Sequence, residues 1–447
     1  MRAAMEKKLT KAEHLFLGSM LFGMLFGAGN LIFPVHMGQL AGAHFWAANW
    51  GFIATGVFMP FFALLAFAVT GSAGLEELAG NVHPVFARIF TILLYLTIGP
   101  AFALPRTATV SFQIGVAPFL TGSETVPLAI FTFLFMGTAL LFSLKPSKLI
   151  VYIGKFLNPV FLLFLTALVA VDLLHPMGTI AKGIPQGDSV DNAFLTGFKE
   201  GYNTMDVLAM LAFAIVVIDS LKNLGVTEDR TISWALIKVG CIVVFLMCVI
   251  YTMITWLGTS SVGQLKASAN GGIALAQITH HYFGPLGSLL QACIVTFACL
   301  KTAIGLITAC ANTFTTMFPS SLSYRKYCAA FAGVSFLVGN VGLTQIIVLA
   351  VPILMFLYPM AITLILASFV CALAGKDKRL YQWPMLAAGL AAFGDALSAL
   401  PKGLASTGIV QSLLSLYRHL PLFSLGMGWV VPTLAAMVVT AAVCRKK

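Results

Sequence analysis

Long apolar runs bounded by short turn segments extend along almost the whole chain of 447 residues. All but one are long enough for a membrane helix, since about 20 apolar residues span the hydrocarbon core of a bilayer. The runs predict twelve transmembrane helices, spans 1 to 12, with bounds 12–36, 44–70, 86–113, 126–144, 150–174, 196–221, 232–257, 285–313, 326–341, 345–373, 382–400 and 426–444. Residues 271–283 are predicted to form a short helix in the loop before span 8.

The composition indicates a single membrane domain. Hydrophobic residues make up 59% of the chain and charged residues only 9%, against about 25% charged residues in an ordinary soluble domain. That shortage of charge excludes a soluble surface of this size, and the apolar content excludes disorder. No loop is long enough for a soluble domain, and the chain carries no P-loop signature. Transport driven by an ATPase of its own is therefore not expected.

The basic residues predict the orientation in the membrane. The net charge is +11, and in so apolar a chain we expect this excess in cytoplasmic loops and not on a nucleic-acid-binding surface. With the N-terminus inside, 19 of the 26 basic residues lie in cytoplasmic segments, while Arg106 and Lys301 lie within spans. The five on the outer side are Lys182, Lys199, Lys266, Lys402 and Arg418. This bias supports twelve spans with both termini in the cytoplasm.

Spans 1 and 6 each contain a break in the middle of an apolar run. Residues 27–30 of span 1 are rich in glycine, and residues 201–206 of span 6 are mostly polar. Two breaks five spans apart are what an inverted five-plus-five repeat predicts, with the binding site between the half-helices. Half-helix N-termini favour a carboxylate, and half-helix C-termini favour Na⁺ or an ammonium group. The alternative is that the glycines serve only helix packing.

Four motifs connect the chain with a known family, at residues 26–34, 99–108, 201–206 and 297–305. With them the sequence resembles, over nearly its whole length, the LIVCS family of branched-chain amino acid transporters, the BrnQ-type carriers of bacteria. That family belongs to the amino acid–polyamine–organocation superfamily. The resemblance therefore implies an all-α integral membrane protein with the leucine-transporter-like fold, twelve transmembrane helices in all. Two inverted five-helix repeats would cover about 12–174 and 196–373, followed by two extra helices within 382–444.

The resemblance also implies a substrate site at the break of span 1. The N–H groups of Ala28 and Gly29 would hold the carboxylate of the substrate, next to Gly27 in the same stretch. The carbonyl of Leu25 would face the substrate amine. The side chain of Asn30 would face an ion or the carboxylate.

At the break of span 6, the resemblance places a hydroxyl ligand for an ion at Thr204 and a group near the substrate ammonium at Asp206. A charge in the middle of a membrane costs several kcal/mol and marks a functional position. We therefore predict that Asp206 pairs with the ammonium; the alternative is that it caps the second half-helix. The other side chains predicted to surround the substrate are Phe102, Tyr202, Asn203 and Met205.

Span 8 departs from the sodium-coupled members of this fold, in which one Na⁺ lies between spans 1 and 8. The resemblance places a carbonyl ligand at Ala298 and the two hydroxyl ligands at positions 301 and 302, on one helix face. Thr302 fits this pattern, but the other position is Lys301, and an ammonium group does not ligate Na⁺.

We predict that the Lys301 ammonium replaces the ion and donates to the carbonyl groups of Gly23, Phe26 and Ala298. Burial would favour its neutral form and let it exchange a proton. The carrier would then be proton-coupled or independent of Na⁺ at this position. The alternative is that Lys301 points into another polar crevice while Na⁺ binds through Asn30 and Thr204.

Arg106 lies in the outer half of span 3. One hypothesis is that it forms part of an extracellular gate or neutralises an acidic partner. The other is that its side chain extends to the outer membrane interface.

The sequence thus predicts secondary active uptake of leucine, isoleucine and valine by Na⁺ or H⁺ symport with alternating access, in the bacterial inner membrane. The expected partners are the substrate and the lipid bilayer, with no nucleic acid, no enzymatic cofactor and no metal other than a possible Na⁺. One alternative is a carrier of another small neutral solute. A second is a membrane-embedded enzyme, which would need clustered His, Asp or Glu side chains that the spans do not show.

Overall fold

The computed structural model describes residues 9–120, 122–180, 183–375 and 377–445, and the regular secondary structure of these residues is helical throughout. Seven of the basic residues used for the orientation lie outside the described residues: Arg2, Lys7, Lys8, Lys182, Lys376, Lys446 and Lys447. The cytoplasmic position of both termini stays a prediction.

The described residues form twenty α-helices, α1 to α20 in chain order. They are Lys11–Leu25, Ala28–Ala41, Phe45–Ile53, Met59–Thr70, Leu75–Gly80, Pro84–Leu96, Ala103–Gly115, Thr125–Ser143, Asn158–Leu174, Ser189–Asn203, Asp206–Asn223, Asp229–Ser261, Gly271–Phe283, Pro285–Met317, Tyr324–Gly339, Leu343–Ala374, Arg379–Ser398, Lys402–Ala405, Gly408–Tyr417 and Val430–Arg445. Three π-helical segments continue into the α-helices that follow them: Ala54–Phe58, Thr97–Ala101 and Ile150–Leu157.

Each of the twelve predicted spans coincides with one helix or with consecutive helices, and the loop helix predicted at 271–283 is α13. By length and composition, seven of the described helical segments are able to cross a bilayer, or eight if the bent pair α10 and α11 forms one span. The helices of spans 9 and 12, α15 and α20, are shorter, at 16 residues each. The boundaries of the two repeats stay a prediction.

Spans 1 and 6 are broken where the sequence predicts. The helix α1 ends at Leu25 and α2 begins at Ala28, so that the glycine-rich stretch opens the second half. Between α10 and α11 the axes bend by 41°. There Met205 has a φ of 66°, a left-handed conformation that non-glycine residues seldom adopt.

The predicted span 3 is interrupted as well, which its apolar sequence did not indicate. Its first half, α6, runs on through the π-helical segment Thr97–Ala101, within which Gly99 leaves the helical conformation, and α7 begins at Ala103. Pro100 contributes to the interruption because it has no N–H group to donate. As a result, Arg106 lies in the first turn of a new helix.

The centre of the bundle is α14, which packs against α1, α7, α8 and α11 and buries most of its length. The half-helices α10 and α2 are held through glycines: a Cβ on Gly197 of α10 would lie 1.9 Å from the carbonyl oxygen of Ala48 in α3. Likewise, a Cβ on Gly258 of α12 would lie 2.0 Å from the carbonyl oxygen of Val35 in α2. Outside this core, α17 packs on α16 and α20 packs on both.

Candidate functional site

Two adjoining cavities lie at the three helix breaks. The inner cavity, of about 40 Å³, lies between the breaks of spans 1, 3 and 6 and against α14. The vestibule, of about 240 Å³, lies between α2, α7, the end of α10 and the first half of α16. Arg106 and Met205 line both, so these two side chains separate the two spaces. As the structure stands, the inner cavity is too small to hold an amino acid, since its volume is close to that of one water.

The structure brings most of the predicted site residues to these cavities. Besides Arg106, nine of them line the inner cavity: Leu25, Gly27, Ala28, Gly29, Asn30, Thr204, Met205, Asp206 and Thr302. Besides Arg106, four line the vestibule: Phe102, Tyr202, Asn203 and Met205. The remaining predicted ion-site residues, Gly23, Phe26, Ala298 and Lys301, are buried and line neither cavity.

Asn30 connects the two broken spans. Its Oδ1 accepts a hydrogen bond of 2.9 Å from the backbone N–H of Gly27, which ties down the start of α2. Its Nδ2 donates to Oδ2 of Asp206 at 2.7 Å and also contacts the hydroxyl of Tyr251. The Asn30 side chain therefore holds the carboxylate of Asp206, in α11, next to the N-terminus of α2.

The carboxylate of Asp206 is buried, with 1% of the residue exposed. Besides Asn30, the hydroxyl of Tyr251 donates to its Oδ2 at 2.9 Å. Although Asp206 is the first residue of α11, its side chain does not cap that helix. Among the described residues, no cation lies within 4.0 Å of it and Oδ1 accepts no hydrogen bond. An acceptor oriented in this way suits an ammonium group in the cavity.

Tyr251 is a site residue that the sequence reasoning missed. It lies in α12, the helix of span 7, is fully buried, and packs against the rings of Phe26 and Phe52. Its one signal in the sequence is a lone tyrosine in the middle of an apolar run, which core packing explains equally well.

Lys301 is also fully buried, in α14. Its Nζ donates to Oδ1 of Asn158 at 2.9 Å and lies 3.5 Å from the centre of the Phe161 ring. Among the described residues, no hydrogen bond joins this ammonium to the carbonyl groups of Gly23, Phe26 or Ala298, where the sequence placed its partners. The acceptor comes from the start of α9 in span 5, a helix that the family pattern did not include.

The two threonines predicted as ion ligands, Thr204 and Thr302, both line the inner cavity. Thr204 donates to the carbonyl of Gly201 at 2.8 Å, and Thr302 donates to the carbonyl of Ala298 at 3.4 Å. Among the residues that the structure describes, no three His, Cys, Asp or Glu side chains gather into a metal-binding cluster.

Arg106 lies beside the first turn of α2. A Cβ built on Gly29 would be 3.5 Å from Nη2 of this arginine. The guanidinium therefore lies next to the N-terminus of α2, where Arg106 lines both cavities.

Comparison with known proteins gives full-length matches. The family described as branched-chain amino acid transport protein matches residues 10–447. The branched-chain amino acid permease BrnQ of Lactobacillus delbrueckii subsp. lactis is 44% identical over 440 residues, covering 98% of each chain. The permease of the same name from Bacillus subtilis is 42% identical over 432 residues, covering 96% of each chain.

Solved structures share the fold at low identity. Mhp1, a nucleobase-cation-symport-1 family transporter with bromovinylhydantoin bound, gives a TM-score of 0.60 at 16% identity, covering 97% of this chain and 92% of its own. MhsT in complex with L-phenylalanine gives 0.58 at 14% identity, covering 98% of this chain and 99% of its own. These similarities confirm the leucine-transporter-like fold that the sequence predicts.

Proposed function

The chain belongs to the family of branched-chain amino acid transport proteins, and on that premise we propose that it takes up leucine, isoleucine and valine by cation-coupled symport with alternating access. The observation that carries this proposal is the carboxylate of Asp206, which lines the cavity between the broken spans, accepts hydrogen bonds from Asn30 and Tyr251, and has no cation within 4.0 Å among the described residues. A neutral solute without an ammonium group would leave that buried charge without a partner.

The amino acid binds between the two broken spans. Its ammonium group pairs with Asp206 and faces the carbonyl of Leu25, while its carboxylate faces the N–H groups of Ala28 and Gly29. Because the α2 N-terminus carries about half a positive charge, it favours an anion at this position.

The aliphatic side chain of the substrate contacts the apolar part of the inner cavity, which Ile98, Ala209 and Leu306 provide. The vestibule above it is bounded by Phe102 and by the stacked rings of Tyr202 and Tyr358, whose centres are 4.2 Å apart. Substrate passes through this vestibule, and the inner cavity widens as the half-helices separate.

Lys301 supplies the coupling charge in place of a sodium ion. In support, its ammonium is enclosed by a neutral amide and an aromatic ring, with no carboxylate within 4.0 Å among the described residues. In this proposal the Lys301 ammonium is the group that gives up and takes back the coupling proton. The competing arrangement is a Na⁺ held by Asn30 and Thr204; Asn30, however, already uses both polar atoms of its amide on Gly27, Asp206 and Tyr251.

The proposed setting is the bacterial inner membrane, with both termini in the cytoplasm and the lipid bilayer as the surrounding partner. No cofactor beyond the coupling ion takes part.

Radiolabelled leucine counterflow in proteoliposomes tests the proposal, with Na⁺ and pH varied independently. We expect exchange that isoleucine and valine compete for, and accumulation driven by an inward proton gradient in Na⁺-free buffer. Exchange that these amino acids do not compete for would instead favour a carrier of another small neutral solute. Strict dependence on a Na⁺ gradient would contradict the role of Lys301.

A further inference from the structure

We propose that Arg106 is a substrate-binding residue whose guanidinium, together with the N-terminus of α2, holds the carboxylate of the amino acid. The inference rests on the proposed function, since it concerns the same cavity. It extends that function by naming a side chain, Arg106, as a partner of the substrate carboxylate.

The position of Arg106 follows from the interruption of span 3. Because α7 begins at Ala103, Arg106 lies in its first turn, at the depth of the breaks in spans 1 and 6. Its Nη2 is next to Gly29, as the 3.5 Å distance to a Cβ built there shows. The guanidinium and the first N–H groups of α2 therefore border the same end of the inner cavity.

Arg106 makes no direct contact with a carboxylate, although Asp206 lies near enough for the two charges to interact through space. Among the described residues, its guanidinium makes no hydrogen bond and lies within 4.0 Å of no carboxylate. By contrast, Arg88 in the same span pairs with Glu76, and Arg379 pairs with Asp377. An arginine beside a helix N-terminus puts two positive groups next to each other, an arrangement that an anion between them stabilises.

The inner cavity is thus lined by two side chains of opposite charge. Asp206 and Arg106 both line it, yet no ion pair of 4.0 Å or less joins them. In the widened cavity a zwitterion bridges them, with its ammonium group at the aspartate and its carboxylate in the planar fork of the arginine, a geometry that guanidinium and carboxylate share. An amine without a carboxylate, or an acid without an amine, leaves one buried charge unpaired. The pair of charges therefore selects α-amino acids.

The test uses the purified full-length carrier in proteoliposomes and measures how well three compounds compete with leucine counterflow. Leucine has both charged ends, leucinamide lacks the carboxylate, and 4-methylpentanoate lacks the ammonium group. We expect the wild type to prefer leucine strongly to both analogues.

In Arg106→Gln we expect leucine to compete about 100-fold more weakly, a loss typical of removing one partner of a buried charge pair. The preference for leucine over leucinamide should largely disappear. Leucinamide lacks only the carboxylate, and the variant lacks the guanidinium that is proposed to bind it. Arg106→Lys, which keeps the charge without the fork, should be intermediate. Arg88→Gln is the matched control in the same span and should keep the wild-type preference.

An unchanged leucine-to-leucinamide ratio in Arg106→Gln overturns the inference and leaves the proposed function standing. A wild type that exchanges no leucine overturns the proposed function itself. Where Arg106→Gln supports no measurable exchange, stabilisation of the purified variant against heat by leucine and by leucinamide gives the same ratio. Selective loss of the stabilisation by leucine supports the inference, and equal retention refutes it.

Discussion

Asp206 and Lys301 are both buried charges at the level of the helix breaks, but their surroundings differ. The carboxylate of Asp206 accepts hydrogen bonds from spans 1 and 7 and borders an open cavity. The ammonium of Lys301 has one amide acceptor and an aromatic ring, and it borders neither cavity. A solute that enters the inner cavity, once the half-helices have moved apart, reaches Asp206, whereas Lys301 lines neither cavity. This difference is the basis for proposing that Asp206 recognises the substrate and that Lys301 serves coupling.

The sharpest test of this contrast is Asp206→Asn. We expect leucine uptake to fall at least about 100-fold, because removing one partner of a buried charge pair typically costs about 3–5 kcal/mol. Proteoliposome uptake at matched protein content measures the loss, and detection in the membrane fraction shows that the variant is made. Asp219→Asn is the control, since that partly buried carboxylate bonds to Asn312 away from both cavities. Near-normal uptake by Asp206→Asn would refute the recognition role.

Lys301→Thr should break the coupling and spare recognition. We expect accumulation driven by a proton gradient to fall about tenfold or more, because the proton-binding group is gone. Counterflow, which needs no net driving force, should be reduced far less. The new hydroxyl at this position also favours the appearance of stimulation by Na⁺. Lys155→Thr, which removes an exposed lysine of span 5, is the control. An unaltered, strict dependence on a Na⁺ gradient in Lys301→Thr would contradict the assignment.

Tyr251→Phe should weaken recognition without changing the coupling ion. The variant removes one of the two donors to Asp206, and a hydrogen bond to a charged group contributes about 1.5–3 kcal/mol. We expect the apparent KM for leucine to rise at least about tenfold, with the pH dependence of uptake preserved. Tyr95→Phe removes an equally buried hydroxyl, which donates to the carbonyl of Ala212, and should leave KM near the wild-type value. Equal effects in the two variants would mean that Tyr251 is only structural.

Phe161→Leu should give the smallest effect, and on the coupling side alone. The ring contributes about 1–2 kcal/mol to a cation held against its face, so its loss should lower proton-driven accumulation severalfold and leave competition by leucine unchanged. The matched control is Phe164→Leu. It removes a ring that lies one helical turn from Phe161 and stacks on Phe297, not on Lys301. The Phe164→Leu control should leave proton-driven accumulation unchanged. A change in leucine competition in Phe161→Leu would contradict the assignment of recognition and coupling to two separate regions.

Local chemistry was enough to predict part of this architecture. The breaks of spans 1 and 6 and the loop helix at 271–283 follow from glycines and polar residues within or between apolar runs, whose influence on a helix is local. The interruption at Gly99 and Pro100 lies in an apolar stretch without a polar signal, so hydrophobicity alone did not indicate it.

Side-chain partners were less predictable than side-chain positions. Spacing in α14 puts Lys301 on the face toward span 1. The hydrogen-bond acceptor that its ammonium can reach, however, depends on how spans 1, 5 and 8 pack. The acceptor is Asn158. Tyr251 was missed for the same reason, since its partners are 45 and 221 residues away in the chain.

The glycine contacts of α10 and α2 limit which amino-acid substitutions this carrier tolerates. Every replacement for Gly197 or Gly258 adds at least a Cβ atom, which would lie about 2 Å from a carbonyl oxygen of the neighbouring helix. A substitution at either position is therefore accommodated only if the two helices move apart. Natural variants with altered preference among amino acids should therefore arise at cavity-lining positions such as Ala209 and Leu306, while these two interfaces stay fixed in sequence.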